Sequence, residues 1–173
     1  MLSNFLKELR SGSGVNQQTQ FILKNLVQGK QLHILIADDD EDDKELFDEA
    51  ISEISPEILI SMVANGKELM QHLANHELPD IVFLDLNMPA MNGFECLEAI
   101  KKSPDLKDLP VIIYSTSANP DQINQTYLSG ASLYIQKPSN FQDIKKLLVK
   151  ILEVDIEKFF TQPGKAEFLI KIL

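Results

Sequence analysis

The sequence of 173 residues predicts an α/β domain built on a doubly wound parallel sheet. Short continuous apolar runs alternate along the chain with segments whose apolar residues recur at a spacing of about 3.6 residues. Continuous apolar runs favour strands that are buried on both faces, whereas the wider spacing favours helices with one buried stripe. Regular alternation of the two patterns is typical of a parallel sheet with helices on both faces.

Five apolar segments are predicted strands, with helical patterns between them. The first reads Leu-His-Ile-Leu-Ile-Ala and the third Ile-Val-Phe-Leu, without the polar-apolar alternation of a half-exposed strand. The predicted strands are Leu32–Ala37, Ile58–Val63, Ile81–Leu84, Val111–Ser115 and Leu133–Gln136.

Capping sequences mark the helix boundaries. A polar side chain before the first turn accepts hydrogen bonds from free backbone N–H groups, and glycine suits the left-handed backbone that follows the last turn. The domain is accordingly placed at residues 31–153. The signals are Asn65 with Glu68, Ser139 with Gln142, Asn119–Pro120 for helix starts, and Gly130 for a helix end.

Both ends of the chain carry apolar residues outside this domain. Residues 1–30 are predicted to be a helical extension or linker, and Ser11–Gly14 has the composition of a flexible linker. Residues 154–173 form a C-terminal extension. We expect these segments to pack on the domain or on a partner, including a second copy of the chain in a homodimer.

Composition excludes several classes of protein. The hydrophobic content of 44% is that of a globular protein, and the formal net charge of −10 argues against a broad nucleic-acid-binding face. The single cysteine, Cys96, lies in an apolar helical pattern and is predicted to be buried. No apolar stretch has the length of a membrane span or of a signal-peptide core, so we expect a cytoplasmic protein.

Polar residues follow four of the predicted strands at the point where each strand ends. The carboxyl ends of parallel strands meet at one edge of the sheet, where open α/β folds bind ligands. Carboxylates gathered there repel one another unless a cation or a proton lies among them, so the pattern predicts a site. The residues are Asp38 and Asp39, Asp85, Ser115 and Thr116, and Lys137–Pro138.

The acidic run that begins at Asp38 continues well beyond the first strand. Nine of the twelve residues from Asp38 to Glu49 are Asp or Glu. Acidic residues in a first helical turn suit the helix dipole, so the later members of the run are interpreted as a solvated helix start. These members are Asp42, Asp43, Glu45, Asp48 and Glu49.

With these motifs in order, about 120 residues of the chain resemble the receiver domain of two-component response regulators, of the stand-alone, single-domain type. The resemblance implies a flavodoxin-like five-stranded sheet of order 2-1-3-4-5, with helices on both faces. The motifs that carry it are Asp38–Asp39, Asp85–Leu86–Asn87–Met88–Pro89, Asn92–Gly93, Ser115, Gly130–Ala131–Ser132 and Lys137–Pro138.

The resemblance also implies a role for each matching residue. Asp85 would accept the phosphoryl group, while Asp39 would bind a divalent metal, Mg²⁺ or Mn²⁺, directly and Asp38 mostly through water. The backbone carbonyl of Asn87 would be a further metal ligand. Lys137 would pair first with Asp85 and then with a phosphoryl oxygen, and the Lys137–Pro138 bond is expected to be cis. Ser115, next to Thr116, would bond the phosphoryl group, and Tyr134 would be the aromatic switch residue.

The implied function is phosphorelay signalling. A sensor histidine kinase or histidine phosphotransfer protein would supply the phosphoryl group from phosphohistidine, and a downstream protein would read the result. No direct nucleic-acid or membrane binding is expected, and the only catalysis would be of the domain's own phosphorylation and dephosphorylation.

Two alternatives use the same fold. One is a receiver-like binding module that is not phosphorylated. The other is a haloacid-dehalogenase-type phosphatase in which Asp38 and Asp40 form an Asp-x-Asp pair. Against the phosphatase, no acidic pair follows a strand after Lys137, and the Asp85–Pro89 motif would have no purpose.

Overall fold

The computed structural model describes residues 31–153 and 162–170. The predicted extension at residues 1–30 lies outside the described residues, as do residues 154–161 and 171–173 of the C-terminal extension. We refer to residues 162–170 as the C-terminal segment.

The described residues form one parallel sheet of six strands in the order β2-β1-β3-β4-β5-β6. The predicted order of the first five strands is confirmed, with β1 and β2 each beginning one residue later than predicted. The expected count of five strands is wrong by one. The sixth strand was missed because its two residues are too few to give a periodic pattern. The strands are β1 His33–Ala37, β2 Leu59–Val63, β3 Ile81–Leu84, β4 Val111–Ser115, β5 Leu133–Gln136 and β6 Leu169–Ile170.

The helices alternate with the strands as the periodicity indicates. In the described residues they are α1 Glu41–Ile54, α2 Gly66–Asn75, α3 Gly93–Lys102, α4 Pro120–Leu128, α5 Phe141–Glu153 and the short α6 Lys165–Phe168.

Most of the predicted capping residues are found in place. Asn65 and Asn119 cap α2 and α4, and Gly130 follows α4 with a φ of +89°. The predicted cap at Ser139 is wrong by one residue, because α5 begins at Phe141. The side chain of Asn140, directly before it, accepts a hydrogen bond of 3.0 Å from the Asp143 N–H.

The core consists of two apolar layers, one on each face of the sheet. Alternate residues of a strand point to opposite faces, so Ile34 and Ile36 join one layer while Leu35 and Ala37 join the other. The first layer packs α1 and α5 on the sheet, and the second packs α2, α3, α4 and the C-terminal segment. The sheet is therefore buried on both faces, which explains its continuous apolar strands.

The described helices are all too short or too polar to cross a membrane.

Candidate functional site

Three carboxylates meet at the carboxyl edge of the sheet. The strands β1 and β3 are neighbours, with Ala37 paired to Leu84, so the residues that follow them lie side by side. The Asp85 N–H donates to the carbonyl of Ala37 at 2.9 Å, which fixes the end of β3 against β1. Oxygens of Asp38, Asp39 and Asp85 lie within 4.8 Å of one another, and we call this set the carboxylate cluster.

Asp38 is the most buried member of the cluster, with 1% of its surface exposed. Its Oδ1 accepts a hydrogen bond of 3.1 Å from the Asp40 N–H. Its Oδ2 forms an ion pair of 2.6 Å with Lys137 Nζ. Burial raises the pKa of Asp38, and the nearby Lys137 opposes the rise.

Lys137 follows β5 and reaches back over the sheet to α1. Its Nζ donates a hydrogen bond of 2.7 Å to Asp43 Oδ2, and it lies 5.5 Å from the centre of the Tyr114 ring. Burial lowers the pKa of Lys137, but the contacts with Asp38 and Asp43 outweigh it and raise the pKa overall. Two carboxylates thus share one ammonium group whose side chain is only 6% exposed.

These contacts differ from two expectations drawn from the sequence. Lys137 was expected to pair first with Asp85, but its ion pairs within 4.0 Å are with Asp38 and Asp43. Asp43 was interpreted as a solvated residue of the helix start, and it is instead half-buried against Lys137. The deeply buried Asp38 has the greatest need of a counter-charge, which draws the lysine toward the β1–α1 side.

The expectation of a cis bond before Pro138 is wrong, because the Lys137–Pro138 peptide bond is trans. Trans is the lower-energy form of an X-Pro bond by about 0.5–1 kcal/mol. In this form Lys137 makes the two ion pairs just described.

The end of β4 places Ser115 inside the edge and Thr116 outside it. Ser115 is fully buried, and its carbonyl accepts a hydrogen bond of 2.9 Å from the Lys137 N–H. Thr116, the next residue, is exposed. The structure therefore puts the Ser115 side chain among the buried residues of the edge and leaves the Thr116 side chain exposed to solvent.

Tyr134 lies on β5 with its side chain buried in the second core layer. Its hydroxyl donates a hydrogen bond of 2.9 Å to the carbonyl of Ser117, two residues beyond β4. Burial raises the pKa of this hydroxyl, and hydrogen bonding to Ser117 and Ser115 opposes the rise. Its ring centre lies 6.4 Å from that of Phe168 in the C-terminal segment.

The loop from β3 to α3 holds Asp85 from the other side. The Leu86 N–H donates to Asp85 Oδ1 at 2.8 Å, and Asn87, two residues after Asp85, is exposed. A Cβ atom at Gly93 would lie 2.1 Å from the carbonyl oxygen of Asp85, so only glycine allows α3 to approach this closely. Ala90 has a left-handed φ of 65° in the same loop.

The carboxylate cluster fits a hard divalent cation. Mg²⁺ and Mn²⁺ prefer oxygen ligands, and the three carboxylates offer one oxygen each within a span of 4.8 Å. Asp38 and Asp85 are both buried, so water screens their mutual repulsion little and a bound cation would offset it. Asp40 does not extend this donor set, because it caps α1 and accepts hydrogen bonds from the N–H groups of Asp42 and Asp43. Because its side chain caps α1, Asp40 is also not free to act as the second acid of the Asp38–Asp40 pair that a phosphatase would need.

The role of Asp43 could not be read from the sequence alone. It lies 94 residues from Lys137, and its neighbours in the acidic run offer the same side-chain chemistry. The one available signal was its place in the first turn of α1, the turn nearest the end of β1.

Comparison with known proteins gives consistent matches. The family model described as the response regulator receiver domain matches residues 34–149, a range that contains every residue of the site. The two-component response regulator ARR17 of Arabidopsis thaliana is 33% identical over 134 residues, which cover 71% of this chain and 86% of that protein.

Two solved structures are similar to most of this chain. The phosphorylated cyanobacterial phytochrome response regulator RcpA has a TM-score of 0.67 and 33% identity, covering 71% of this chain and 92% of its own. The Mn²⁺-bound form of the response regulator Rcp1 has a TM-score of 0.66 and 28% identity, covering 77% of this chain and 99% of its own.

Proposed function

The chain belongs to the response regulator receiver domain family, and from this premise we propose that Asp85 is the residue that accepts the phosphoryl group. Receiver domains interact with histidine kinases and with downstream targets in two-component systems. Here the donor would be the phosphohistidine of a sensor kinase or of a histidine phosphotransfer protein.

The observation that carries this proposal is the position of Asp85 in the carboxylate cluster. It ends a central strand, its backbone is fixed by Ala37, and its side chain is 6% exposed. In the transfer, an Asp85 oxygen forms a bond to phosphorus as the bond from phosphorus to the imidazole nitrogen breaks. Asp85 Oδ1 already accepts a hydrogen bond from Leu86, so Oδ2 is the better placed nucleophile.

Charge is the main obstacle to this reaction, because the nucleophile and the phosphoryl group are both negative. Asp38, Asp39, Asp85 and the carbonyl of Asn87 would hold Mg²⁺ or Mn²⁺, and a relative, Rcp1, is known in a Mn²⁺-bound form. Such an ion neutralises developing charge on the phosphoryl oxygens when it is bound.

Lys137 and Ser115 would act on the phosphoryl group once it is attached. The Lys137 ammonium can pair with one oxygen, and the buried Ser115 hydroxyl can donate to another. A hydrogen bond to a charged group contributes about 1.5–3 kcal/mol, and this one exists only in the phosphorylated state. It would shift the β4–α4 region and Tyr134 between two conformations, with the exposed Thr116 next to Ser115.

The downstream partner is proposed to be a protein, since the net charge of −10 disfavours nucleic acid. We further propose that residues 31–153 are the signalling domain and that it works in the cytoplasm. We also propose that the terminal extensions mediate self-association. Sedimentation with and without residues 1–30 checks the self-association, and an unchanged mass distribution contradicts it.

Incubation with acetyl phosphate and Mg²⁺ followed by intact-mass measurement tests the phosphoacceptor. The wild-type protein is expected to gain one phosphoryl group and Asp85→Asn none. Asp105→Asn, which changes an exposed acid far from the site, should behave as wild type. A phosphorylated Asp85→Asn protein would show that another residue accepts the group.

Calorimetric titration with Mg²⁺ tests the metal ligands separately. Asp39→Ala should weaken binding by at least about tenfold, because each carboxylate supplies a full negative charge to the ion. Asp42→Ala removes an equally exposed acid three residues away and should change the affinity little. Equal affinities of wild type and Asp39→Ala would remove Asp39 from the ligand set.

A further inference from the structure

The hydrogen bond between Asp43 and Lys137 joins two elements that are 94 residues apart in sequence. Asp43 lies in the first turn of α1, and Lys137 lies directly after β5. The Asp43 side chain is 34% exposed and the Lys137 side chain 6% exposed, so the bond forms at the boundary between the buried edge and water.

Asp43 and Asp38 hold the ammonium group in different ways. Asp38 Oδ2 lies 2.6 Å from Lys137 Nζ in a side chain that is 1% exposed, whereas Asp43 Oδ2 accepts a hydrogen bond of 2.7 Å in a side chain that is 34% exposed. The Tyr114 ring lies 5.5 Å from the same nitrogen and favours a cation at this position. Of these two carboxylates only Asp43 belongs to α1, so it is the contact that draws the ammonium group toward that helix.

We propose that Asp43 is a positioning residue that holds Lys137 on the α1 side of the edge, away from Asp85, until a phosphoryl group competes for it. The inference rests on the proposed phosphorylation of Asp85. Phosphorylated Asp85 offers oxygens that attract Lys137, and the lysine must weaken its bond to Asp43 to reach them. The bond to Asp43 therefore favours the unphosphorylated state, and its removal favours the phosphorylated state.

The test compares Asp43→Asn with Asp42→Asn. Each variant removes one negative charge from the first turn of α1, and each keeps a polar side chain of the same shape. Asp42 is exposed, and the ion pairs of Lys137 in the described residues are with Asp38 and Asp43, not with Asp42. The Asp42 backbone N–H donates a hydrogen bond to the Asp40 side chain. The pair thus separates the specific bond to Lys137 from the general effect of charge on an anionic phosphodonor.

The measurement is the ratio of phosphorylated to unphosphorylated protein at steady state with acetyl phosphate and Mg²⁺, read by intact mass. Asp43→Asn is expected to raise this ratio about threefold to tenfold over Asp42→Asn, the range for a charged hydrogen bond that is partly screened by water. In a Lys137→Gln background the difference between the two variants should disappear, whereas a purely structural role of Asp43 would leave it unchanged.

The outcomes distinguish this inference from the proposed function. Equal ratios in Asp43→Asn and Asp42→Asn, with a phosphorylated wild type, would overturn the positioning role alone. A lower ratio in Asp43→Asn would also overturn it, since Asp43 would then help Lys137 to act. A wild-type protein that gains no phosphoryl group would overturn the proposed function and the inference with it.

Discussion

Two edges of the sheet meet at Tyr134, and different forces hold them together. The carboxyl edge gathers buried charge, with Asp38 and Lys137 paired beneath the surface. The lateral edge is β5 covered by the C-terminal segment, where β6 pairs with Tyr134 and the side chain of Phe168 is 1% exposed. The ring of Tyr134 packs near Phe168, while its hydroxyl bonds the loop that leaves Ser115.

This difference separates function from stability. Desolvation of a charge opposes folding, and the attraction between paired charges offsets it only in part, so the carboxyl edge is held at a cost to stability. Burial of an aromatic ring is favourable without any partner charge. The lateral edge therefore stabilises the strand that carries Tyr134 and Lys137, next to an edge whose groups must remain free to change partners.

The largest effect is expected from Phe168→Ala, which tests the apolar side of the comparison. Truncation of a buried Phe costs about 3–5 kcal/mol. Here the loss cannot exceed the free energy with which the C-terminal segment binds to the domain, because the segment can detach while the domain stays folded. Urea unfolding gives the loss in stability, and hydrogen exchange at Leu169 and Ile170 shows whether β6 is released. Glu167→Ala, at an exposed residue of the same segment, should cost no more than about 0.5 kcal/mol. A loss below about 1 kcal/mol for Phe168→Ala would mean that packing is not what holds the lateral edge.

A second pair of variants compares one glycine in each region. Gly93→Ala forces a Cβ to 2.1 Å from the Asp85 carbonyl oxygen, so the end of β3 must shift. We expect a loss of about 1–3 kcal/mol in unfolding free energy and a slower phosphorylation of Asp85. Gly164→Ala meets no atom within 4 Å, and its stability should stay unchanged or rise by up to about 1 kcal/mol. Equal effects at both positions would show that α3 does not constrain Asp85.

Tyr134 belongs to both edges, and Tyr134→Phe separates its contribution to the carboxyl edge from its contribution to the lateral edge. It keeps the ring beside Phe168 and removes the hydrogen bond to the Ser117 carbonyl, at an expected cost of about 0.5–1.5 kcal/mol in urea unfolding. A cost near zero would mean that the hydroxyl does not tie the two edges together.

The smallest effect concerns Cys96, which shares the second core layer with Tyr134 and Phe168. Burial raises the pKa of its thiol to about 11, above the usual 9.0. The folded state holds the proton more tightly than the unfolded state, so this contribution to stability is constant below pH 9.0 and is lost as the pH rises through about 11. The thiol should resist a thiol-specific reagent at pH 8 in wild type and in Phe168→Ala. Rapid labelling of that variant alone would show that release of the segment opens the whole layer.

The sequence was sufficient to predict the features that depend on local signals. Four strand ends carry polar residues of their own, and parallel strands bring such residues to one edge, so a cluster of Asp38, Asp39 and Asp85 could be expected there. The caps of α2 and α4 also follow from patterns that span only a few residues, whereas the strand order was implied by the family resemblance.

The features that could not be predicted depend on choices between near-equal alternatives. Asp42 and Asp43 are chemically identical, and only the three-dimensional path of α1 puts one of them beside Lys137. Ser139 and Asn140 are adjacent capping residues, and the structure uses the second. The strand β6 has only two residues. It pairs with β5 where the neighbouring Phe168 is buried against Tyr127 and Tyr134, which lie far away in the sequence.

Lys137 also bears on how fast charged molecules reach the carboxyl edge. Its ammonium group pairs with Asp38 and Asp43. Asp39 and Asp85 lie in the same cluster, so these four carboxylates face one ammonium group. Such an excess of negative charge draws cations in from solution and slows the approach of anions, within a screening length of about 8 Å at physiological salt. Added salt should therefore slow the arrival of a divalent ion and speed the encounter with an anionic phosphodonor, so the two partners of this edge respond to ionic strength with opposite sign.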